Sequence, residues 1–176
     1  PFAKALQANG YGDFGWGQYN LFEGGKPGEI TTFHEGQLQP DAQSVGAYDP
    51  VKNLLYFLDE DGNLAQYSVK DTAFIKTIEL HLGVTKKDDN GMSDNYDVIE
   101  EYNSAAIIYT GIKGSEVGLL NIENQQVELY NVATGYLVSK LMLPEGVATY
   151  NMFNFSYCNG IYWFFNKELR TWTGCK

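Results

Sequence analysis

The sequence predicts an all-β chain built from about four antiparallel β-sheet repeats. Three observations carry that prediction. Aromatic residues make up 15% of the chain and glycine 19 of its 176 residues, a mixture that suits half-buried pleated surfaces joined by turns needing positive φ. Two long stretches repeat each other. Segments that combine helical periodicity with caps are scarce. With 44% hydrophobic and 19% charged residues the composition is globular. The length suffices for one all-β domain over 1–176, burying about 70% of its unfolded surface.

Taken in order, "PFAKALQA" (1–8) has the makings of a helical turn or two. "NGYGDFGWGQY" (9–19) then interleaves glycine with aromatics. Trp16 and Tyr19 are candidate binding residues there, because aromatics on flexible backbone stack on sugars or flat ligands; packing on the core or completing an edge is the structural alternative. Repeat units follow over approximately 9–40, 41–82, 98–145 and 146–176. The strongest repeat sets "LLYFLDEDGNLAQYSVKDTAFIKTIEL" (54–80) over "VGLLNIENQQVELYNVATGYLVSKLML" (117–143) without gaps, at an offset of 63. Both read as strand, turn, strand, turn, strand. Weaker copies lie at 19–33 and 161–172. All four hairpins end in an aliphatic residue followed three positions later by an aromatic: Ile30/Phe33, Leu64/Tyr67, Val127/Tyr130 and Leu169/Trp172. Residues three apart on a strand face opposite sides. Such a pair fills two layers, as sheets covered on both faces require. A further strand is expected before three of the hairpins, in "AQSVGAYD", "NSAAIIYTG" and "TYNMFNFSYC".

"VELYNVATGYLVSKLML" resembles the third and fourth strands of a WD-repeat or quinoprotein-type β-propeller blade, and "YDPVKNLLYFLDEDGNLAQYSV" is similar to the first and second. The resemblance implies a small propeller of four blades, or three to four blades of a larger ring. It departs from the family in lacking Gly-His and Trp-Asp signatures and in its uneven hairpin spacings of 34, 63 and 42. The first unit lacks a clear innermost strand and the last stops after its third. Exposed edges are a liability, so either the N-terminal segment or another chain is expected to cover them. A single β-barrel or sandwich is the structural alternative.

A net charge of −10 argues against nucleic acid, whose binding rests on Lys and Arg meeting phosphates. No apolar run approaches the ~20 residues of a membrane span. In "DEDGN", Asp59, Asp61 and Asn63 alternate like the start of a calcium loop, but the twelfth position, where such a loop needs a bidentate Glu, is Lys70. The repeat aligns this stretch with "IENQQ", so a hairpin turn is the better reading and no metal or other cofactor is expected. The acidic insertion 81–101 contributes Asp88, Asp89, Asp94 and Asp97 as candidate binding residues for a cation or a basic partner. Cys158 and Cys175 bound an 18-residue segment; a disulfide between them would imply an oxidising, extracellular compartment, and two buried thiols are the alternative. Asn154-Phe155-Ser156 is a glycosylation sequon. No nucleophile elbow, phosphate loop or histidine pairing supplies a catalytic constellation.

The functional expectation is a secreted, non-catalytic binding or assembly module that meets a protein partner or a second copy. A ligand-binding or enzymatic propeller acting on a glycan or small molecule is the second reading, with its pocket near Tyr48, Asp49 and Tyr109. A small barrel carrying a hydrophobic ligand is the third.

Overall fold

A computed structural model describes residues 2–6, 14–19, 30–32, 46–59, 61–71, 73–86, 102–151 and 153–176. These residues form strands and connections, with no helix among them. The strands make four separate sheets, which sets aside a single closed barrel. In the first, β1 (Phe2–Leu6), β2 (Phe14–Tyr19) and β3 (Ile30–Thr32) pair antiparallel. Where a helical turn is expected over 1–8, the described residues Phe2–Leu6 are a strand, its register running from Phe2 opposite Gln18 to Leu6 opposite Phe14. Cross-strand pairing has overridden a weak local propensity.

The second sheet is the meander β4 (Ala47–Asp49), β5 (Leu54–Leu58), β6 (Leu64–Ser68), β7 (Ala73–Ile78). The third holds β9 (Ile108–Tyr109), β10 (Val117–Asn121), β11 (Gln126–Tyr130) and β12 (Tyr136–Met142), and the fourth β13 (Phe155–Cys158), β14 (Ile161–Asn166) and β15 (Thr171–Cys175). One strand was not expected. β8 (His81–Thr85), the start of the acidic insertion, lies parallel to β12 on the outer edge of the third sheet. Gly135 makes this approach possible. It sits at φ 74°, and a Cβ there would meet the Glu79 carbonyl oxygen at 1.9 Å. The His81 amide then donates to the Gly135 carbonyl at 3.0 Å, and the His81 ring stacks on Tyr136.

β5, β6, β10 and β11 do not alternate between buried and exposed residues; nearly every side chain is buried. A strand reads this way when both faces of its sheet are covered. Tyr56, Leu58 and Leu64 of the second sheet pack with Val117, Leu119 and Tyr130 of the third. On the other face of the third sheet, Leu120, Val127 and Leu129 pack with Phe155, Tyr162 and Phe164 of the fourth. Leu55, Phe57, Ala65, Tyr67 and Val69 form a further cluster on the opposite face of the second sheet. Two of the hairpin pairs thus divide between layers as expected: Leu64 and Tyr67 lie in different clusters, as do Val127 and Tyr130.

The register refines the repeat. β6–β7 and β11–β12 keep the offset of 63, and each carries a β-bulge immediately before its tyrosine, at Gln66/Tyr67 and Leu129/Tyr130. Tyr67 pairs with Leu55 but Tyr130 with Val117, so the preceding strand is offset by 62. The connection through DEDGN is one residue shorter than its counterpart: five residues lie between paired Leu58 and Leu64, six between paired Leu120 and Val127. Asp59 uses its carboxylate inside that turn, accepting from the amides of Asp61 at 3.1 Å and Asn63 at 2.7 Å. The last pair does not follow the pattern. Leu169 is in the β14–β15 turn and exposed, and Trp172 pairs with Phe165.

The third sheet buries a charge. Glu128 is 0% exposed. Its Oε2 accepts from the hydroxyls of Tyr102 and Tyr130, and its Oε1 from the side-chain amides of Asn121 and Gln126, with Lys140 at 3.7 Å. The Tyr130 hydroxyl in turn accepts from the Gly83 amide at 3.0 Å. One carboxylate therefore gathers β10, β11 and the segment at Tyr102, and through Tyr130 reaches β8.

Glu128→Ala leaves at least four buried donors without their acceptor and should cost about 3–5 kcal/mol in chemical denaturation. Lys140→Ala removes only a half-exposed partner and should cost less than about 1 kcal/mol. Equal losses for the two would overturn this account of the network.

Candidate functional site

The inner strands β4, β9 and β13 open three successive sheets, and close backbone approaches between sheets run from β4 to β9 and from β9 to β13. Register aligns their residues. Tyr48 lies opposite Leu55, Tyr109 opposite Val117 and Tyr157 opposite Tyr162. Those partners are themselves equivalent, being opposite Tyr67, Tyr130 and Cys175. Each inner strand thus presents a tyrosine at one position, followed by a short side chain: Asp49, Thr110 or Cys158. Two of these do the same local work. Asp49 Oδ1 accepts from the amides of Val51 at 2.9 Å and Lys52 at 3.0 Å, and Thr110 Oγ1 accepts from the Ile112 amide at 3.0 Å. Each caps the turn that leads into the next strand.

Asp49 has capacity beyond the turn. The residue is 1% exposed, and its Oδ2 is buried with no hydrogen-bond partner of acceptable geometry. Tyr109 reaches toward it from the neighbouring sheet. Burial first, and then the hydrogen-bonding and charge of Asp49, push the Tyr109 phenol up to about 12. Tyr56 is pushed up to about 12 by burial, then by Asp49, with Gln66 opposing and Glu116 adding. Glu116 is anchored by the amides of Gly114 at 2.8 Å and Val132 at 3.3 Å. The arrangement brings one acceptor-rich carboxylate beside phenols that stay protonated at neutral pH. Such a set recognises hydroxyl or cationic groups; it pairs no nucleophile with a base. Among the described residues no group of three His, Cys, Asp or Glu side chains is placed to hold a metal ion.

The structure places Asp49 and Tyr109 beside each other across β4 and β9, whereas the Tyr48 hydroxyl turns to Asn53 of its own turn. Trp16 and Tyr19 fall in β2. Asp88, Asp89, Asp94 and Asp97 lie outside the described residues. Cys158 and Cys175 are free thiols. They sit on the two strands flanking β14, opposite Ile161 and Tyr162. Neighbouring residues of one strand point to opposite faces, so the two sulfurs are on opposite sides of the sheet and do not form the disulfide. The sequon also fails. Asn154 is fully buried, with its Oδ1 accepting from Asn103 at 3.0 Å and its Nδ2 donating to the Ala148 carbonyl at 3.2 Å. A glycan on that nitrogen is incompatible with this packing. Tyr157 was missed because the inner-strand tyrosines are spaced 61 and 48 residues apart, with no constant period to find.

Two outcomes follow. A thiol reagent applied to the native protein should modify exposed Cys158 first and Cys175, whose thiol burial pushes up, more slowly; mass spectrometry of the labelled chain reads the order, and the reverse order would contradict the placement. Tyr56, Tyr67 and Tyr109 are raised from 10.0 to about 12, in each case chiefly by burial. The folded state therefore holds these protons more tightly than the unfolded state. The stability they contribute is complete below pH 10 and is lost as pH rises from 10 toward 12. Phenolate absorbance of the folded protein at about pH 11 should account for only part of the 13 tyrosines, and a single transition near pH 10 in folded protein would overturn the burial argument.

Comparison with protein-family models, curated proteins and solved structures yields no match for this chain.

Proposed function

We propose that the chain is a non-catalytic, β-propeller-like binding or assembly module that mediates protein–protein interaction. The observation that carries this reading is the succession of inner strands. Sheets stacked flat lie about 10 Å apart throughout; here β4 approaches β9 and β9 approaches β13 closely. Both faces of the second and third sheets are buried, and sheets that converge at one end and are covered on both sides are what a propeller-like arrangement requires. The inner-strand side chains that would line an axis are largely engaged in capping turns. The surfaces left for recognition are sheet faces and edges, which suit macromolecules better than small substrates. Among the described residues no helix is long and apolar enough to cross a membrane.

A second reading, ligand binding or catalysis on a glycan or small molecule, is favoured by one observation, the buried Asp49 carboxylate facing the Tyr109 phenol across β4 and β9. One experiment separates the two. Light scattering over a wide concentration range, run alongside a thermal-shift panel of glycans and small metabolites, should show association without ligand-dependent stabilisation. A strict monomer stabilised by one such compound, with the effect removed by Asp49→Asn, would sink the module reading in favour of the second.

A further inference from the structure

β8 follows its neighbour only at its two ends. His81 is paired with Tyr136 and Thr85 with Leu137, so four steps along β8 meet a single step along β12. The middle of β8 therefore has no continuous ladder to β12. Gly83, at φ 71°, instead donates its amide to the Tyr130 hydroxyl at 3.0 Å. After the acidic stretch the chain meets the third sheet again at Tyr102. There Tyr102 is bridged to Asn121, and the Asn103 amide donates to the Leu120 carbonyl at 2.8 Å.

We infer that β8 and the Tyr102 segment form a two-ended clasp, fastened or released together through one oxygen, Oε2 of Glu128. The clasp is built on the third sheet alone and is independent of the module reading.

Three observations join the two ends. The first is a shared acceptor. Oε2 receives the hydroxyls of both Tyr102 and Tyr130, while Oε1 is occupied by Asn121 and Gln126. An unbroken chain of hydrogen bonds thus runs from the Gly83 amide through Tyr130 and Glu128 to Tyr102. Linked bonds of this kind polarise and strengthen one another.

The second is proximity. A Cβ placed on Gly83 would lie 3.8 Å from the Tyr102 hydroxyl oxygen, so the two ends sit side by side. Leu82 and Tyr102 also belong to one buried cluster.

The third is shared enclosure. Tyr102, Glu128 and Tyr130 are all buried. Burial first, and then Glu128, push the Tyr102 phenol far above its usual range; burial, then Tyr102 and Glu128, do the same to Tyr130. Both phenols therefore stay protonated and remain donors. Each end helps to keep water from the other. With Tyr102 displaced, water reaches Oε2 and the Tyr130 hydroxyl and competes with the Gly83 amide. With β8 displaced, the Tyr130 hydroxyl loses its donor and the Tyr102 hydroxyl its neighbour. Either half-open state leaves a member of the chain unmatched or open to competition, which disfavours it relative to both the closed and the fully released states.

Native-state hydrogen exchange of the full chain, followed by NMR, reads the two ends separately. The His81 amide, which donates to the Gly135 carbonyl, reports β8, and the Asn103 amide reports the other end. Amides of the β10–β11 ladder give the reference for opening of the whole sheet. Tyr102→Phe deletes a hydroxyl at the end remote in sequence from β8. It should speed exchange at His81 and Gly83 about fivefold or more relative to that reference. Gly83→Ala strains β8 at its positive φ and leaves every group around Glu128 in place; it should speed exchange at Asn103 by a similar factor. Lys140 approaches Oε1 at 3.7 Å and belongs to neither end, so Lys140→Ala should move neither relative to the ladder. Acceleration confined to the end that carries the substitution would overturn the clasp and leave two separate anchors. So would acceleration at both ends that only keeps step with the ladder, since the ends would then open with the sheet. If Tyr102→Phe does not fold, the response of Asn103 to Gly83→Ala decides alone.

Discussion

The structure depends on one constraint: a β-sheet that is apolar on both faces must have another sheet on each side. β10 and β11 are buried at every position, and each removes apolar area from water in two directions at about 25 cal/mol per Å2. Neither is stable alone in water. The second, third and fourth sheets are therefore not domains that associate after folding; the core exists only between them. The pattern also explains why these strands lack the alternation of a half-exposed sheet, and why an aliphatic residue is followed three positions later by a tyrosine in β6 and in β11. The two members of Leu64/Tyr67, and of Val127/Tyr130, serve different interfaces.

Within that scheme Glu128 is exceptional. It stands in the central strand of the most buried sheet, at a place where an apolar side chain would satisfy the packing rule. Its four hydrogen-bond donors come from β10, β11 and Tyr102. Burying a charge costs several kcal/mol unless it is fully hydrogen-bonded, so the carboxylate tolerates only an arrangement in which all of these are present. Tyr102 follows the acidic stretch and bridges to Asn121. The network thus fixes where the chain re-enters the sheet after that stretch. Packing alone leaves the re-entry point loosely specified, because Tyr102 could contact many apolar neighbours. A single acceptor shared by two phenols and two amides does not have that latitude.

What was legible in the sequence follows from which interactions are local. The hairpins Leu54–Ser68 and Val117–Tyr130 were visible because turn chemistry and apolar spacing lie within one short window. Asp59 has the spacing of a metal ligand in a calcium loop but the repeat context of a turn residue, and its carboxylate accepts from two amides of its own turn. β8 was not visible, because its partner β12 lies more than fifty residues away and its fit depends on a missing side chain at Gly135. The last hairpin was misplaced by its letters: Leu169-x-x-Trp172 imitates the pattern, yet Leu169 occupies the turn and the tyrosine position falls on Cys175. The inner-strand tyrosines needed cross-strand register, since unequal turns and the intervening acidic stretch separate them by unequal lengths.

The substitution at Cys175 connects these points. In the two complete sheets a bulky tyrosine closes the third strand, and the outer strand lies against it with Phe74 or Leu137 opposite. The Phe74 ring meets Tyr67 edge-on at 5.6 Å. In the fourth sheet the same register position is Cys175, opposite Tyr162, and its partly buried side chain packs against the cluster shared with the third sheet. The position therefore packs into a hydrophobic cluster in all three cases, and the residue there is set by the space left to it: a tyrosine ring in two sheets, a thiol in the fourth. Two-sided burial fixes that the position is apolar and facing inward; the local separation of the sheets fixes its size.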